Sequence, residues 1–190
     1  AIIVNSAIGG STNAPPHLQA IARHAGVSLS VNDWQKVGFE IPLLLNMQPA
    51  GDFLGEAFFR SGGVPAVMGE LLEAKLLHTD TITVNGKSTG ENIEKHKSKD
   101  TNVIKKVTNP IMKNAGFIVL SGNLFDSALM KTSVISEDFR KRFLSNTGEE
   151  NILRAKAVVF EGPEDYHNRL NDPELNIDEK TILFIRGVGC

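Results

Sequence analysis

Cysteine is nearly missing from this chain. Only Cys190 occurs, at the last position, which excludes an internal disulfide and any metal centre built from cysteines of this chain alone. No run of eighteen or more apolar residues is present, so nothing reads as a membrane-spanning helix, and the N-terminus lacks the basic-then-apolar pattern of a secretory leader. A charge excess is missing as well. Twenty Lys and Arg against 22 Asp and Glu leave a net charge of −2, and a pI near 6.2 generates no field that would gather nucleic acid. Lys95, Lys97, Lys99, Lys105 and Lys106 cluster around His96, but no aromatic residues interleave with them to stack on bases. That cluster reads as a solvated loop, and neither nucleic acid nor a membrane is expected as a partner. Internal repeats and low-complexity tracts are also lacking.

What is present suffices for a folded chain. With 190 residues, 41% of them hydrophobic, one ordinary domain or two small ones can bury a core, and a cytoplasmic, globular protein is expected. The chain begins at Ala1 and stops within Ile185-Arg186-Gly187-Val188-Gly189-Cys190, directly after an apolar run. A piece of a larger protein is the expectation.

Periodicity divides the chain near residue 80. Residues 1–8 are apolar and fit a buried strand or a helix equally. Leu18, Ile21, Ala22 and Ala25 then form a helical stripe over about 16–25, with Pro16 suited to the start and Gly26 to the end. A second helix is expected from Asn32, capped there with Gln35 reaching back, its buried face made by Trp34, Val37, Gly38 and Ile41, and Pro42 stopping it. Residues 43–46 form a short apolar run and 48–51 a turn, and helices are expected over 53–60, with Asp52 as its cap, and 65–77. Beyond residue 80 strands should dominate: Thr81-Ile82-Thr83-Val84 before an Asn85-Gly86 turn, then 117–120, 129–135, 155–160 and 181–185. Ser88 and Glu91 form a capping box, 95–102 a surface excursion, and Gly162-Pro163-Glu164-Asp165 a helix start.

The stretch most like a site is Gly9-Gly10-Ser11-Thr12-Asn13, which feeds a helix. Such a loop can offer backbone N–H groups, hydroxyls and the positive helix end to a carboxylate or phosphate. A plain turn in which Asn13 or Thr12 caps the helix explains the same spacing. It is not a Walker motif, because no Lys-Ser/Thr pair follows the glycines. His17 stands beside the loop as a hydrogen-bond donor to substrate, whereas His24 is about two turns away, roughly 10 Å, too far to share a metal ion with it. His24, His78, His96 and His167 read as surface histidines. Ser121-Gly122-Asn123 lacks the glycine of a nucleophile elbow and reads as a pocket-shaping loop. Arg186, after the last strand, can hold an acid group or simply join a salt bridge. Carboxylates are scattered, with no acid and base couple among them.

Six blocks, Gly9-Gly10-Ser11-Thr12-Asn13-Ala14 with His17-Leu18 and Ala20-Ile21-Ala22, Gly62-Gly63-Val64-Pro65-Ala66-Val67, Asn109-Pro110, Ser121-Gly122-Asn123-Leu124, Ala157-Val158-Val159-Phe160-Glu161-Gly162 and Ile185-Arg186-Gly187, occur in order along the chain. Together they resemble the dihydroxy-acid dehydratase and 6-phosphogluconate dehydratase family. Asn46-Met47-Gln48-Pro49-Ala50-Gly51, Leu124-Phe125-Asp126-Ser127-Ala128 and Gly162-Pro163-Glu164-Asp165-Tyr166-His167 look like its sugar-acid branch, which acts on arabinonate, xylonate or gluconate.

The resemblance implies a lyase that removes water from a 2,3-dihydroxy acid to give a 2-keto acid. It implies an iron-sulfur cluster acting on the leaving 3-hydroxyl, a magnesium ion holding the carboxylate and 2-hydroxyl, and a serine alkoxide taking the C2 proton. That division is chemically sensible, because a C2 proton is weakly acidic and hydroxide leaves poorly, so both ends need electrostatic help. The family's cluster cysteines and upstream magnesium ligands correspond to nothing in this chain. Its remaining glutamate and base serine follow the turn where the chain stops, and Cys190 stands where relatives usually have proline. The expectation is therefore an α/β fold: residues 1–80 as the mainly helical tail of an α/β N-terminal domain, and 81–190 as much of a β-barrel-like C-terminal domain. Ser11, Thr12, Asn13, His17, Ser121, Asn123 and Arg186 are expected to bind substrate, with no metal ligand in this chain. The implied partners are a small sugar acid, the rest of the same polypeptide and, when intact, further copies of it. A non-catalytic module binding a carboxylate or phosphate at the loop is the alternative.

Overall fold

The computed structural model describes residues 1–123, 126–146, 148–150 and 152–188, Glu149 by its backbone only. Leu124 and Phe125 of the sugar-acid block, with Gly189 and Cys190, lie outside the described residues. The chain forms two compact units, residues 1–135 and 136–190. Helix and strand are mixed, as an α/β fold requires, and the described strands pair only in twos with no closed barrel among them.

The first unit opens with α1 (Ile2–Ala7), which resolves the ambiguity of residues 1–8 in favour of helix. It continues through α2 (Ala14–His24), α3 (Val31–Gly38), α4 (Gly55–Arg60), α5 (Gly63–Glu73) and α6 (Thr89–Ile93) to the antiparallel hairpin β1 (Phe117–Leu120) and β2 (Ala128–Lys131). A single 3-10 turn, Thr132–Val134, follows where a longer strand to residue 135 was expected. Its largest core is made by Ala7, Ile41, Leu44, Leu45, Ala66, Val67, Leu71, Val103 and Ile104. The segment 41–46 runs through that core with backbone bonds to both sides: Leu44 N–H to the Ala7 carbonyl, Leu43 N–H to Met112, Asn46 N–H to Val103, and Lys105 N–H back to Leu44. Its buried peptide groups are thereby satisfied without a regular sheet.

A second cluster joins Ile2, Trp34 and Phe117, the last two edge to face at 5.2 Å. α3 reaches it by a cap other than the expected one. Ser30 N–H and Oγ–H both donate to Asp33 Oδ2, at 2.7 and 2.8 Å, so the helix starts one residue before Asn32. Gln35, freed from capping, accepts Val119 N–H at 2.7 Å and ties α3 to β1. Val37, assigned to the buried face, is exposed. Asp52 likewise does not cap α4, whose cap position is Leu54; it pairs with Asn46 instead. The stripe of α2 is only half covered, with Leu18 against the Trp34 cluster and Ile21 64% exposed.

Residues 81–84 are not a strand. Ile82 forms one isolated bridge to Ser88, and Ile82 and Val84 face solvent, because no neighbouring strand offers them a surface to cover. The Asn85-Gly86 turn is present, with Gly86 at φ +79. So is the capping box: Ser88 N–H donates to Glu91 Oε2 at 2.7 Å and Glu91 N–H to Ser88 Oγ at 3.2 Å.

The second unit contains α7 (Glu137–Phe143), the short antiparallel pair β3 (Ser145–Asn146) and β4 (Glu149–Glu150), then β5 (Lys156–Phe160), α8 (Pro163–Arg169), a 3-10 turn at Pro173–Leu175 and β6 (Thr181–Ile185). β5 and β6 pair in parallel, which requires a crossover, and α8 supplies it by packing Tyr166 edge to face on the buried Phe160 at 5.3 Å. Asp165 accepts the Glu161 N–H at 2.9 Å, and that bond, with Arg169 beside it, holds its carboxyl below the usual range.

Candidate functional site

The glycine-rich loop forms one wall of a cleft of about 720 Å3 that lies wholly within the first unit. Both glycines are needed where they stand. Gly9 is at φ +60, and a side chain there would come within 2.9 Å of Leu43 Cδ1; one at Gly10 would fall 2.0 Å from Asn5 Oδ1. Gly10 N–H bonds the Asn5 carbonyl at 2.8 Å, so the loop turns back tightly on the end of α1.

Past the glycines, two of the loop's N–H groups are bonded within the loop itself. Asn13 N–H bonds Ser11 Oγ and Ala14 N–H bonds the Ser11 carbonyl, each at 3.1 Å. The next two residues, Pro15 and Pro16, have no N–H. The start of α2 therefore offers an anion far less than an ordinary helix start does. Asn13 takes the cap position with helical φ and no side-chain cap bond, so the plain capping reading of the loop is not what the structure contains.

The opposite wall is built from the 43–51 segment and from β2 with the turn after it. Leu43, Leu45, Met47, Ile111, Leu129 and Met130 make the lining largely apolar. Lys131 and Ser133 interrupt it, held on either side of Thr132. Thr132 is 5% exposed; its N–H donates to the Gly116 carbonyl at 3.0 Å and its hydroxyl to the same oxygen at 2.9 Å. From this anchored position Lys131 Nζ donates to the Gly9 carbonyl at 3.0 Å, a contact between residues 122 apart in sequence. Ser133 Oγ lies 3.8 Å from where a Gly9 side chain would begin.

Of the residues expected to bind substrate, Ser11 and Thr12 line this cleft. Asn13 and His17 are exposed on α2 and its cap, outside the lining, and Ser121 and Asn123 are exposed in the loop joining β1 to β2. Arg186 belongs to the second unit, where its guanidinium bonds both carboxylate oxygens of Glu161 at 2.9 and 3.1 Å. Lys131 and Ser133 escaped the sequence reading; their signal was a cation and a hydroxyl at the end of an apolar run. Among the described residues no three His, Cys, Asp or Glu side chains group as a metal site. No helix among them is long and apolar enough to cross a membrane.

Two family models together account for nearly the whole chain: dihydroxy-acid/6-phosphogluconate dehydratase N-terminal over residues 1–92 and C-terminal over residues 102–190. The chain belongs to the dihydroxy-acid/6-phosphogluconate dehydratase family. Within this dehydratase family it is similar to D-xylonate dehydratase of Caulobacter vibrioides, 54% identical over 189 residues, which is 100% of this chain and 32% of that protein. L-arabinonate dehydratase of Rhizobium leguminosarum bv. trifolii is 37% identical over 190 residues, again 100% of this chain and 31% of the relative. Dihydroxy-acid dehydratase of Caldicellulosiruptor saccharolyticus is 38% identical over 162 residues, 85% of this chain and 29% of the relative. The chain thus spans about a third of the length of the curated dehydratases it matches.

Proposed function

We propose that this chain is the central third of a hydro-lyase that converts a 2,3-dihydroxy sugar acid to its 2-keto-3-deoxy acid, D-xylonate being the first substrate to test. The likeness to D-xylonate dehydratase along the full chain carries this reading. A cleft lined by a hydroxyl-rich loop and one lysine supports it from the side of geometry. Residues 1–80 are assigned to the end of the family's first domain and 81–190 to much of its barrel-like second domain; the first-domain family model runs on to residue 92 and the second-domain model begins at residue 102.

The reaction's iron-sulfur cluster and magnesium ion are assigned to the rest of the polypeptide. The cleft lining contains no cysteine, histidine or carboxylate, so the residues described here do not fit either group, and no step is derived through them. What this chain contributes is binding and positioning. Ser11 and Thr12 on one wall offer hydroxyls to an acid rich in hydroxyl groups, and the other wall is largely apolar. Asn13, His17, Ser121, Asn123 and Arg186 are proposed as further substrate contacts once the polypeptide is complete.

Two assays test the reading. The intact protein, incubated with D-xylonate, L-arabinonate and D-gluconate, is expected to form 2-keto-3-deoxy acid from at least one of them; none from any would overturn the activity. This 190-residue chain alone, with cluster and magnesium reconstituted, is expected to form none, and clear turnover would sink its assignment as a part.

A further inference from the structure

We propose that Asn85 is a deamidation site that the fold holds shut, with Thr83 and Asn92 as the residues that guard it. Asn85-Gly86 is the single Asn-Gly pair in the chain, and both residues are exposed to water. In such a pair the backbone nitrogen of the glycine, on losing its proton, attacks the asparagine Cγ. The Cγ–Nδ2 bond breaks, the leaving nitrogen takes up a proton and departs as ammonia, and a cyclic imide remains. Water then opens the imide at either carbonyl, leaving aspartate or isoaspartate at position 85. Glycine favours the first step, because no Cβ hinders the approach of its nitrogen. An unrestrained turn of this kind ages into an acidic one.

Here the groups that take part are held. Gly86 N–H, the nucleophile, donates to the Thr83 carbonyl at 2.9 Å, closing the turn with Gly86 at φ +79. Asn85 Nδ2, the leaving group, donates to Asn92 Oδ1 at 2.8 Å. Asn85 Oδ1 accepts Thr83 Oγ1–H at 2.7 Å and Lys87 N–H at 3.0 Å, with Asn92 Nδ2 at 3.3 Å. Asn92 Nδ2 also donates to Thr83 Oγ1 at 2.7 Å, so the three side chains form one closed ring of hydrogen bonds. Bringing Cγ onto the Gly86 nitrogen requires the carboxamide to swing away from Lys87 and Asn92, and Gly86 N–H to give up the Thr83 carbonyl. Asn92 is itself fixed, because it lies on α6, whose start is held by the Ser88–Glu91 box and whose next residue, Ile93, is buried. The reaction therefore runs through an opened turn, at a rate set by how often the turn opens.

The test is a time course of the intact protein at mildly alkaline pH, with the peptide that carries residue 85 separated into its asparagine, aspartate and isoaspartate forms and identified by mass. The same protein unfolded in urea gives the unguarded rate. Asn92→Ala and Thr83→Val are each expected to speed the reaction in the folded protein about tenfold, the factor equivalent to about 1.4 kcal/mol and so to hydrogen bonds of ordinary strength. With two such guards, the folded parent is expected to react about a hundredfold more slowly than the unfolded chain. Alanine suits a helix, so Asn92→Ala keeps α6, and Thr83→Val decides the matter should that variant fail to fold. A parent rate equal to the rate in urea would overturn the proposal, as would folded variants no faster than the parent. Slower variants would overturn it in the opposite sense, showing that the hydroxyl and amide donors activate Asn85 Oδ1 instead of restraining Cγ.

Discussion

Gly69→Ala sets two effects of known size against each other. Gly69 sits inside α5, where alanine ordinarily stabilises a helix by about 0.5–1 kcal/mol over glycine. Here the new Cβ would stand 1.8 Å from the His96 carbonyl oxygen, whereas contacts under 3.0 Å essentially do not occur, so the His96 backbone must retreat by about 1.2 Å. That backbone is held. His96 N–H bonds the Ile93 carbonyl at 2.8 Å, Lys99 N–H bonds the Ser61 carbonyl at 3.0 Å, and Lys97 pairs with Glu73 on α5 itself. Overpacking of this kind costs about 1–3 kcal/mol, and each bond lost in the retreat about 0.5–1.5 more, so the clash outweighs the propensity gain. A net loss of about 2 kcal/mol is expected. In urea, with a slope of roughly 1–3 kcal/mol per molar, the midpoint should fall by about 1 M. Trp34 is the sole tryptophan, fully buried in the same unit, and its fluorescence reports the transition. Gly55→Ala is the control, since nothing lies within 4 Å of a side chain there. A Gly69→Ala protein as stable as the parent, or more so, would refute the close approach of α5 and the 95–99 segment.

Other expectations concern the loop, a buried acid and a helix cap. In the intact enzyme, Thr12→Val and His17→Ala should each lower kcat/KM while leaving the thermal midpoint near that of the parent; unaltered kinetics in both would remove the loop from the site. Glu70 is 7% exposed, and burial, reinforced by Glu73, raises its pKa despite Lys106 and Lys97 nearby. Its charge therefore opposes folding at neutral pH, so Glu70→Gln should be stabilising at pH 7, the gain shrinking as pH falls through the raised pKa toward the ordinary glutamate range. A gain that grew on acidification would show the sign to be wrong. Ser88→Ala removes the cap of α6 and should cost about 1 kcal/mol, read as faster amide exchange across residues 89–93; unchanged exchange there would contradict the capping box.

Much of the secondary structure was legible where the signal is local. β1, β6, the start of α8 and the Ser88–Glu91 box are each specified by residues within a few positions of one another. The readings that missed depended on what lay elsewhere. Thr81-Ile82-Thr83-Val84 has the composition of a strand, but composition supplies no partner, and Ile82 stays 74% exposed. Asn32 and Ser30 are both good caps; Ser30 prevails because Asp33 lies three residues on, while Gln35 is drawn off by Val119. In the cleft, the loop announced itself through its glycines, and Ser11 and Thr12 do line the wall. Lys131 did not, because a lysine closing an apolar strand acquires meaning only when the fold carries it to Gly9 across 122 positions.

The segment 41–46 also bears on how the first unit comes into being. Its peptide groups are matched by Ala7 on one side and by Val103, Lys105, Ile111 and Met112 on the other. During synthesis, the helices before it can form as they emerge, yet the Asn46 N–H, the Leu44 carbonyl and the Leu43 peptide groups have no partner until the chain has reached Val103, Lys105 and Met112 respectively. Contacts so distant along the chain close late and slowly, so this apolar stretch waits, unpaired, longer than any helix around it. A ribosome pause before residue 112 would expose it, and a chaperone that binds short extended apolar segments would find it there.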